Sequence, residues 1–345
     1  MNYELGIRAG LGLIGLCTVF FVAFPWGVPA RVPLSSVDTV VRMPRLSPVN
    51  SGSGFCRGDP VAVERETQTQ TAFDAVDFMN FECSKMTPEM IDSCKVPNVL
   101  HYSLSCPGNF DFFKYLSVKS GHDRMRPDAI YVHIIGDCDE IPPYLQRAID
   151  EFKVILVAAR PVDAIFDRPV NGLTHKSDVV RMETLIRFGG VYIDFDVYVL
   201  QSLDVFYDDE TTSALENDHG LNTGILIAKR CSRFLRKWYN RWVDFNDNNW
   251  GYHPINLPYE MWKEDPSFMR AEWETLPSDW PRPFDMLLLP TPPDPAYWKP
   301  IRAIHSFIRG LTIEYTEETV QQADNNLGLM VRRIMQNKPG MFDEP

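Results

Sequence analysis

Asp178, Arg181, Asp194 and Asp196 are the residues whose types and spacing could do chemistry together. All four lie within 22 residues, in the run from His175 through Gly189-Gly190-Val191-Tyr192-Ile193 to Asp196. Carboxylate oxygens are hard ligands that suit Mg²⁺ or Mn²⁺. A divalent cation on a diphosphate neutralises its charge and stabilises it as a leaving group. In this reading Asp196 is the direct metal ligand and Asp194 accepts hydrogen bonds from a ribose or sugar hydroxyl, while Asp178 and Arg181 orient the sugar. Each residue alone has a plainer explanation. A bare Asp-x-Asp triplet is common and usually solvated, Asp178 suits the first turn of a helix, and Arg181 suits a surface ion pair. The ordered combination is what points to a site.

The elements that must position these side chains can be read from periodicity. Val179, Met182, Leu185 and Ile186 recur at helical spacing, which predicts an amphipathic helix over 175–188 with Asp178 and Arg181 one turn apart. Gly189-Gly190 ends it, because a left-handed residue costs glycine little. A strand over 191–196 follows, whose alternation puts Asp194 and Asp196 on one side with Cα atoms about 6.6 Å apart. Upstream, 99–104, 129–135 and 152–158 are short runs of β-forming residues, separated by helical candidates at 111–120 and 142–151. Strands alternating with helices predict an α/β domain around a largely parallel sheet. After Gly251 the chain is rich in Pro and Trp, either an acceptor-binding surface or an irregular packed shell. One helix is expected over 317–336.

Composition bounds the alternatives. The 345 residues are 45% hydrophobic and 12% aromatic, enough to fill a sizeable core. A net charge of -12 disfavours a nucleic-acid binder. Residues 9–30 carry no charge and can just cross a bilayer as a helix. They read as a signal anchor after a short cytosolic tail, 1–8, with a cleaved signal peptide as the other reading. Residues 31–95 read as a stem, 96–310 as the main domain and 311–345 as a C-terminal helix and tail. Beyond Cys17 there are six cysteines, Cys56, Cys83, Cys94, Cys106, Cys138 and Cys231, which fit up to three disulfides in an oxidising compartment.

The block His-x-x-Asp-x-x-Arg followed by Gly-Gly-Val-Tyr-Ile-Asp-Phe-Asp resembles the sugar-binding region of the Asp-x-Asp glycosyltransferases. That family includes yeast initiating mannosyltransferases and animal α1,4-galactosyl- and α1,4-N-acetylglucosaminyltransferases. The resemblance extends over about 96–310, with moderate signals at 96–101, at 221–228 and at Ala303-Ile304-His305. It implies a GT-A type, Rossmann-like domain, a UDP- or GDP-sugar donor, Mn²⁺ or Mg²⁺, and retention at the anomeric carbon. The acceptor would be a glycan, glycolipid or glycoprotein, and the setting a type II protein of the Golgi membrane. Carried across residue by residue, Asp178, Arg181, Asp194 and Asn222 bind the donor, and Asp196 and His305 face the metal. A turn-forming role for Asn222 and a structural role for His305 are as well supported. No base or nucleophile is assigned. One departure stands out: members often carry a Trp three residues after the first-strand His, where this chain has Leu104 after His101, and Tyr102 is expected on the other alternation. A catalytically inactive lumenal glycan- or partner-binding protein is the alternative. A phosphotransferase is disfavoured, because no glycine-rich phosphate loop is present.

Overall fold

The computed structural model describes Cys56, Met79, 83–311 and 314–343. Chain contacts divide the sequence into Met1–Val32 and Pro33–Pro345. The first unit, and with it the expected anchor, lies outside the described residues, as does most of the expected stem. Among the described residues, no helix is long and apolar enough to cross a membrane.

A seven-stranded mixed sheet forms the centre of the second unit. Its strands are β1 (Val99–Ser105), β2 (Ala129–Ile135), β3 (Ile155–Ala158), β6 (Gly190–Ile193), β8 (Thr211–Asn217), β9 (Gly220–Ala228) and β10 (Arg270–Glu272), in the order β10-β8-β9-β6-β1-β2-β3. β6, β1, β2 and β3 run parallel, while β9 is antiparallel to both β6 and β8. The two short strands β4 (Ala164–Ile165) and β5 (Arg168–Pro169) form a hairpin of their own. The parallel half is the expected α/β pattern. The antiparallel half goes beyond that pattern, because one strand on its own does not reveal its direction.

The helices cover both faces. In chain order they are α1 (Pro88–Ser93), α2 (Phe112–Met125), α3 (Pro143–Phe152), α4 (Leu173–Phe188), α5 (Arg233–Asn240), α6 (Leu257–Glu264), α7 (Arg282–Leu288), α8 (Pro295–Trp298), α9 (Glu317–Gln322) and α10 (Asn326–Met335). Leu100, Tyr102 and Leu104 of β1 meet Leu116 of α2 and Met330 of α10 in one core. Leu226 of β9 meets Val179 of α4 and Trp238 of α5 in the other. Val179, Met182, Leu185 and Ile186 are fully buried, each stabilising the packing of α4 by roughly 1.5–3 kcal/mol.

The Gly189-Gly190 turn is a steric requirement. Both residues have positive φ, at 65° and 113°. A Cβ on Gly189 would lie 2.7 Å from Arg230 N, and one on Gly190 2.6 Å from Val99 Cγ2. Only glycine lets α4 turn so tightly into β6.

Two sequence expectations need correction. The strand after Gly-Gly stops at Ile193, and Asp194, Phe195 and Asp196 form a turn closed by Val197 N–H donating to the Asp194 carbonyl at 3.0 Å. The chain then re-enters a separate two-stranded sheet, β7 (Val197–Val199) with β11 (Ala303–His305). The expected helix over 317–336 is two helices. Asn325 caps the second through Gly328 N–H, satisfying a helix-start donor and breaking the continuous period.

The six cysteines form three disulfides, Cys56–Cys94, Cys83–Cys231 and Cys106–Cys138. The Cys83–Cys231 bridge spans 148 residues of sequence, and long loops gain most from closure in the chain-entropy account. It ties the segment before α1 to the turn that follows β9.

Candidate functional site

Helix α4 delivers Asp178 and Arg181, and the turn after β6 delivers Asp194 and Asp196. Arg181 is almost wholly buried, 6% exposed, and sits among acceptors. Its Nη1 lies 3.3 Å from Asp178 Oδ1 and donates to Thr223 Oγ1 at 2.8 Å. Its Nη2 donates to Asp194 Oδ1 at 3.1 Å. The guanidinium lies over the Tyr192 ring at 4.8 Å, and the Tyr192 hydroxyl also donates to Asp194 Oδ1, at 3.0 Å. Ser103 and Ser177 complete the network around that hydroxyl, at 2.7 and 3.1 Å. Burial pushes the Asp178 carboxyl up to about 6; Arg181 pulls against that rise and Asp194 adds to it. Arg181 Nε is buried without a partner, so the network is not fully closed.

The Oδ1 atom of Asp194 is thus committed to protein donors. Its other oxygen faces different company. A Cβ placed on Gly224 would come within 2.7 Å of Asp194 Oδ2 and 3.0 Å of His305 Cε1. Glycine at 224 therefore leaves the space in which these groups approach. Asp194, Asp196 and His305 each offer a ligand atom, all within 4.8 Å of one another.

The protonation geometry of His305 follows from its neighbours. Asn222 Oδ1 accepts from Gly224 N–H at 3.0 Å, which orients the amide. The same oxygen lies 2.9 Å from His305 Nδ1, so Nδ1 donates, and in the neutral ring Nε2 carries the lone pair. Nε2 is 3.0 Å from Asp196 Oδ1 but makes no aligned hydrogen bond. Two lone-pair atoms so close need a cation, and either a proton on Nε2 or a metal ion supplies one. Burial pulls the His305 pKa down, yet Asp196 and Asp194 outweigh it and lift it above the ordinary value. Burial pushes the Asp196 carboxyl up, but His305, with help from Arg309, holds it below the usual carboxylate range. An Asp₂His donor set with an orphaned imidazole nitrogen, braced behind by an amide oxygen, fits a divalent metal.

All six residues singled out from the sequence converge in this one region, and Asp178, Arg181, Asp194, Asn222 and His305 line a common cleft. Thr174, Glu216, Thr223, Gly224, Trp250, Pro254, Ile255, Phe307 and Arg309 complete its lining. Thr223 and Gly224 directly follow Asn222 inside the 221–228 run, but nothing in their spacing gives them a role of their own. Glu216, Trp250 and Arg309 arrive from segments 20 to 113 residues beyond Asp196 and carry no local signature. The expectation for Tyr102 was mistaken. Two residues apart in a strand share a face, so Tyr102 and Leu104 both point into the core, where Tyr102 stacks on Phe195 at 4.6 Å. Leu104 therefore packs with apolar side chains and does not line the cleft.

Residues 127–213, which include Asp178, Arg181, Asp194 and Asp196, match the family model described as glycosyltransferase sugar-binding region containing DXD motif. The match bears out, over those residues, the resemblance read from the sequence.

Over 191 residues the chain is 25% identical to Glucan organizing enzyme 1 of Cryptococcus neoformans var. grubii, covering 50% of this chain and 51% of that protein. The chain therefore spans about half the length of the curated relative it matches. Among solved structures, a galactosyltransferase, LgtC, in complex with donor and acceptor sugar analogs is 14% identical, with a TM-score of 0.41 over 69% of this chain and 94% of that one. The apo-form glycosyltransferase GlyE of Streptococcus pneumoniae TIGR4 is 10% identical, with a TM-score of 0.40 over 71% of this chain and 65% of that one.

Proposed function

We propose that this protein is a retaining glycosyltransferase of GT-A type that moves a hexose or N-acetylhexosamine from a UDP- or GDP-sugar to a glycan, glycolipid or glycoprotein. The observation that carries this reading is the division of labour on Asp194. Its Oδ1 belongs to the Arg181–Tyr192 network, and its Oδ2 lies on the side of Gly224, where Asp196 and His305 gather.

In this reading Asp196 and His305, with Asp194 Oδ2 beside them, hold Mn²⁺ or Mg²⁺. When bound, the ion supplies Lewis-acid stabilisation of the departing diphosphate. Asn222 keeps His305 in the tautomer whose Nε2 faces the cleft. Asp178 and Arg181 orient the donor sugar from α4, and their fixed geometry supplies positioning without reorganisation at the moment of reaction. No side chain is given the role of nucleophile or base. Residues 9–30 would anchor the protein as a type II protein of the Golgi membrane, with the cleft in the lumen.

The test is a screen of the full-length protein against UDP- and GDP-sugars with Mn²⁺, reading thermal stabilisation and release of the nucleoside diphosphate. One donor class should stabilise the protein only with the cation and release its nucleoside diphosphate. Failure of every nucleotide sugar to bind, or full turnover by Asp196→Ala, would contradict the proposal.

A further inference from the structure

The donor reading uses the α4 and β6 side of the cleft and leaves Trp250, Pro254, Ile255 and Glu216 without a task. These residues come from two segments that brace each other. A Cβ on Gly220 would lie 2.4 Å from Ile255 Cγ2, so the β8–β9 turn packs closely on 252–256. Asn256 Nδ2 donates to the His219 carbonyl at 3.0 Å across the same contact.

Trp250 combines an exposed ring with a tethered backbone. The residue is 57% exposed although it lines the cleft. Its carbonyl oxygen lies 3.2 Å from Nε2 of the buried His175, whose Nδ1 pairs with Asp247 Oδ1 at 2.7 Å. Asp247 also accepts from the backbone N–H of Asn171 and Gly172 at the start of α4. The His175 of the sequence block thus holds the 247–250 loop against the helix that carries Asp178 and Arg181. A large apolar ring kept in water on a tethered loop is placed to meet a flat apolar surface.

Glu216 supplies the polar half. Its Oε2 accepts from Asn222 Nδ2 at 3.1 Å, while Oε1 has no protein donor among the described residues. Asn222 therefore joins Glu216 to His305 through one amide, linking this wall to the proposed metal site.

A pyranose ring presents an apolar C–H face and a rim of hydroxyl donors, matching an indole plane beside a half-buried carboxylate. We propose that Trp250 and Glu216 form the acceptor subsite, taking a pyranose of a glycan acceptor with its ring face on the indole and a hydroxyl donating to Glu216 Oε1. This inference rests on the donor reading above.

The experiment measures nucleoside diphosphate release by the full-length protein with Mn²⁺ and its preferred nucleotide sugar, with and without methyl α-mannopyranoside, methyl β-galactopyranoside or methyl β-glucopyranoside. At least one glycoside should accelerate release by the wild type in a saturable way. Trp250→Ala should raise the KM for that glycoside about tenfold, with the donor KM moving far less, and Trp250→Phe should recover most of the loss. Glu216→Gln keeps an oxygen to accept from Asn222, so it should fold normally and raise the glycoside KM about threefold. If donor is hydrolysed but no glycoside accelerates release, or if Trp250→Ala keeps the wild-type glycoside KM, the subsite is refuted while the donor reading stands. If no donor is turned over at all, the donor reading fails and takes the subsite with it.

Discussion

On its Oδ1 side Asp194 meets Arg181 and Tyr192, which also engage Asp178, Thr223, Ser103 and Ser177. On its Oδ2 side lie Asp196 and His305, where an imidazole nitrogen 3.0 Å from a carboxylate oxygen has no aligned hydrogen bond. The two sides share one residue and are built to different standards. Buried ions paired to protein groups hold a geometry, and breaking such a pair is costly because it strands a charge. Converging lone pairs are held only through a proton on the imidazole until a metal ion arrives. The first side therefore bears on stability as well as on placing the donor sugar, the second chiefly on the cation, and measurements of stability should separate the two.

The largest effect is expected at the centre of the Oδ1 side. Arg181→Ala leaves two carboxylates facing each other with one of them buried, and should destabilise the fold by about 3–5 kcal/mol. Chemical denaturation checks this, and a loss near zero would show that the network is not structural. Asp196→Ala on the Oδ2 side should do the reverse. Its midpoint of unfolding without metal should stay near wild type, while metal-dependent donor turnover falls by about 10²–10³. Equal losses of stability in both variants would erase the distinction between the sides.

Two smaller effects sharpen the contrast. Asn222→Ala removes the acceptor that fixes His305 Nδ1 as the donor, and should weaken Mn²⁺ affinity about 10- to 100-fold, as loss of an outer partner typically does. Titration calorimetry reads it. The other effect is on pH dependence. Asp178 has its folded pKa raised from 3.8 to about 6, so between those values the folded chain binds more protons than the unfolded one. Its contribution to stability is fully present below about pH 4 and is lost as pH rises through about 6. Asp178→Asn should flatten that fall in denaturation free energy between pH 4 and 6, and an unchanged slope would remove Asp178 as its source.

The legibility of these two sides differed for a physical reason. Helix α4, the Gly-Gly turn and β6 are contiguous, so period and backbone permissiveness expose them in one stretch of chain. Even there the strand reading ran past Ile193, because Asp194-Phe195-Asp196 alternates like a strand while Phe195 is drawn into the core beside Tyr102 and Phe110. The Oδ2 side draws on β9 and β11, and its outlying residues come from 216, 250 and 309. Asn222 and His305 were reached through family resemblance, and neither has a local pattern of its own. Gly224 matters because a Cβ would touch Asp194 and His305, a constraint that exists only once three distant segments meet. Trp250 depends on the pairing of His175 with Asp247, 72 residues apart.

In the proposed reading Asp194, Asp196 and His305 form a cation site serving the donor's diphosphate. Its most direct test is titration of Mn²⁺ into the full-length protein, with UDP or GDP present, for wild type, Asp196→Ala and His305→Ala. The wild type should bind one ion per chain, tightened by the nucleotide, and both variants should lose that binding. Wild-type affinity retained in either variant, or no ion bound by the wild type, would contradict that reading.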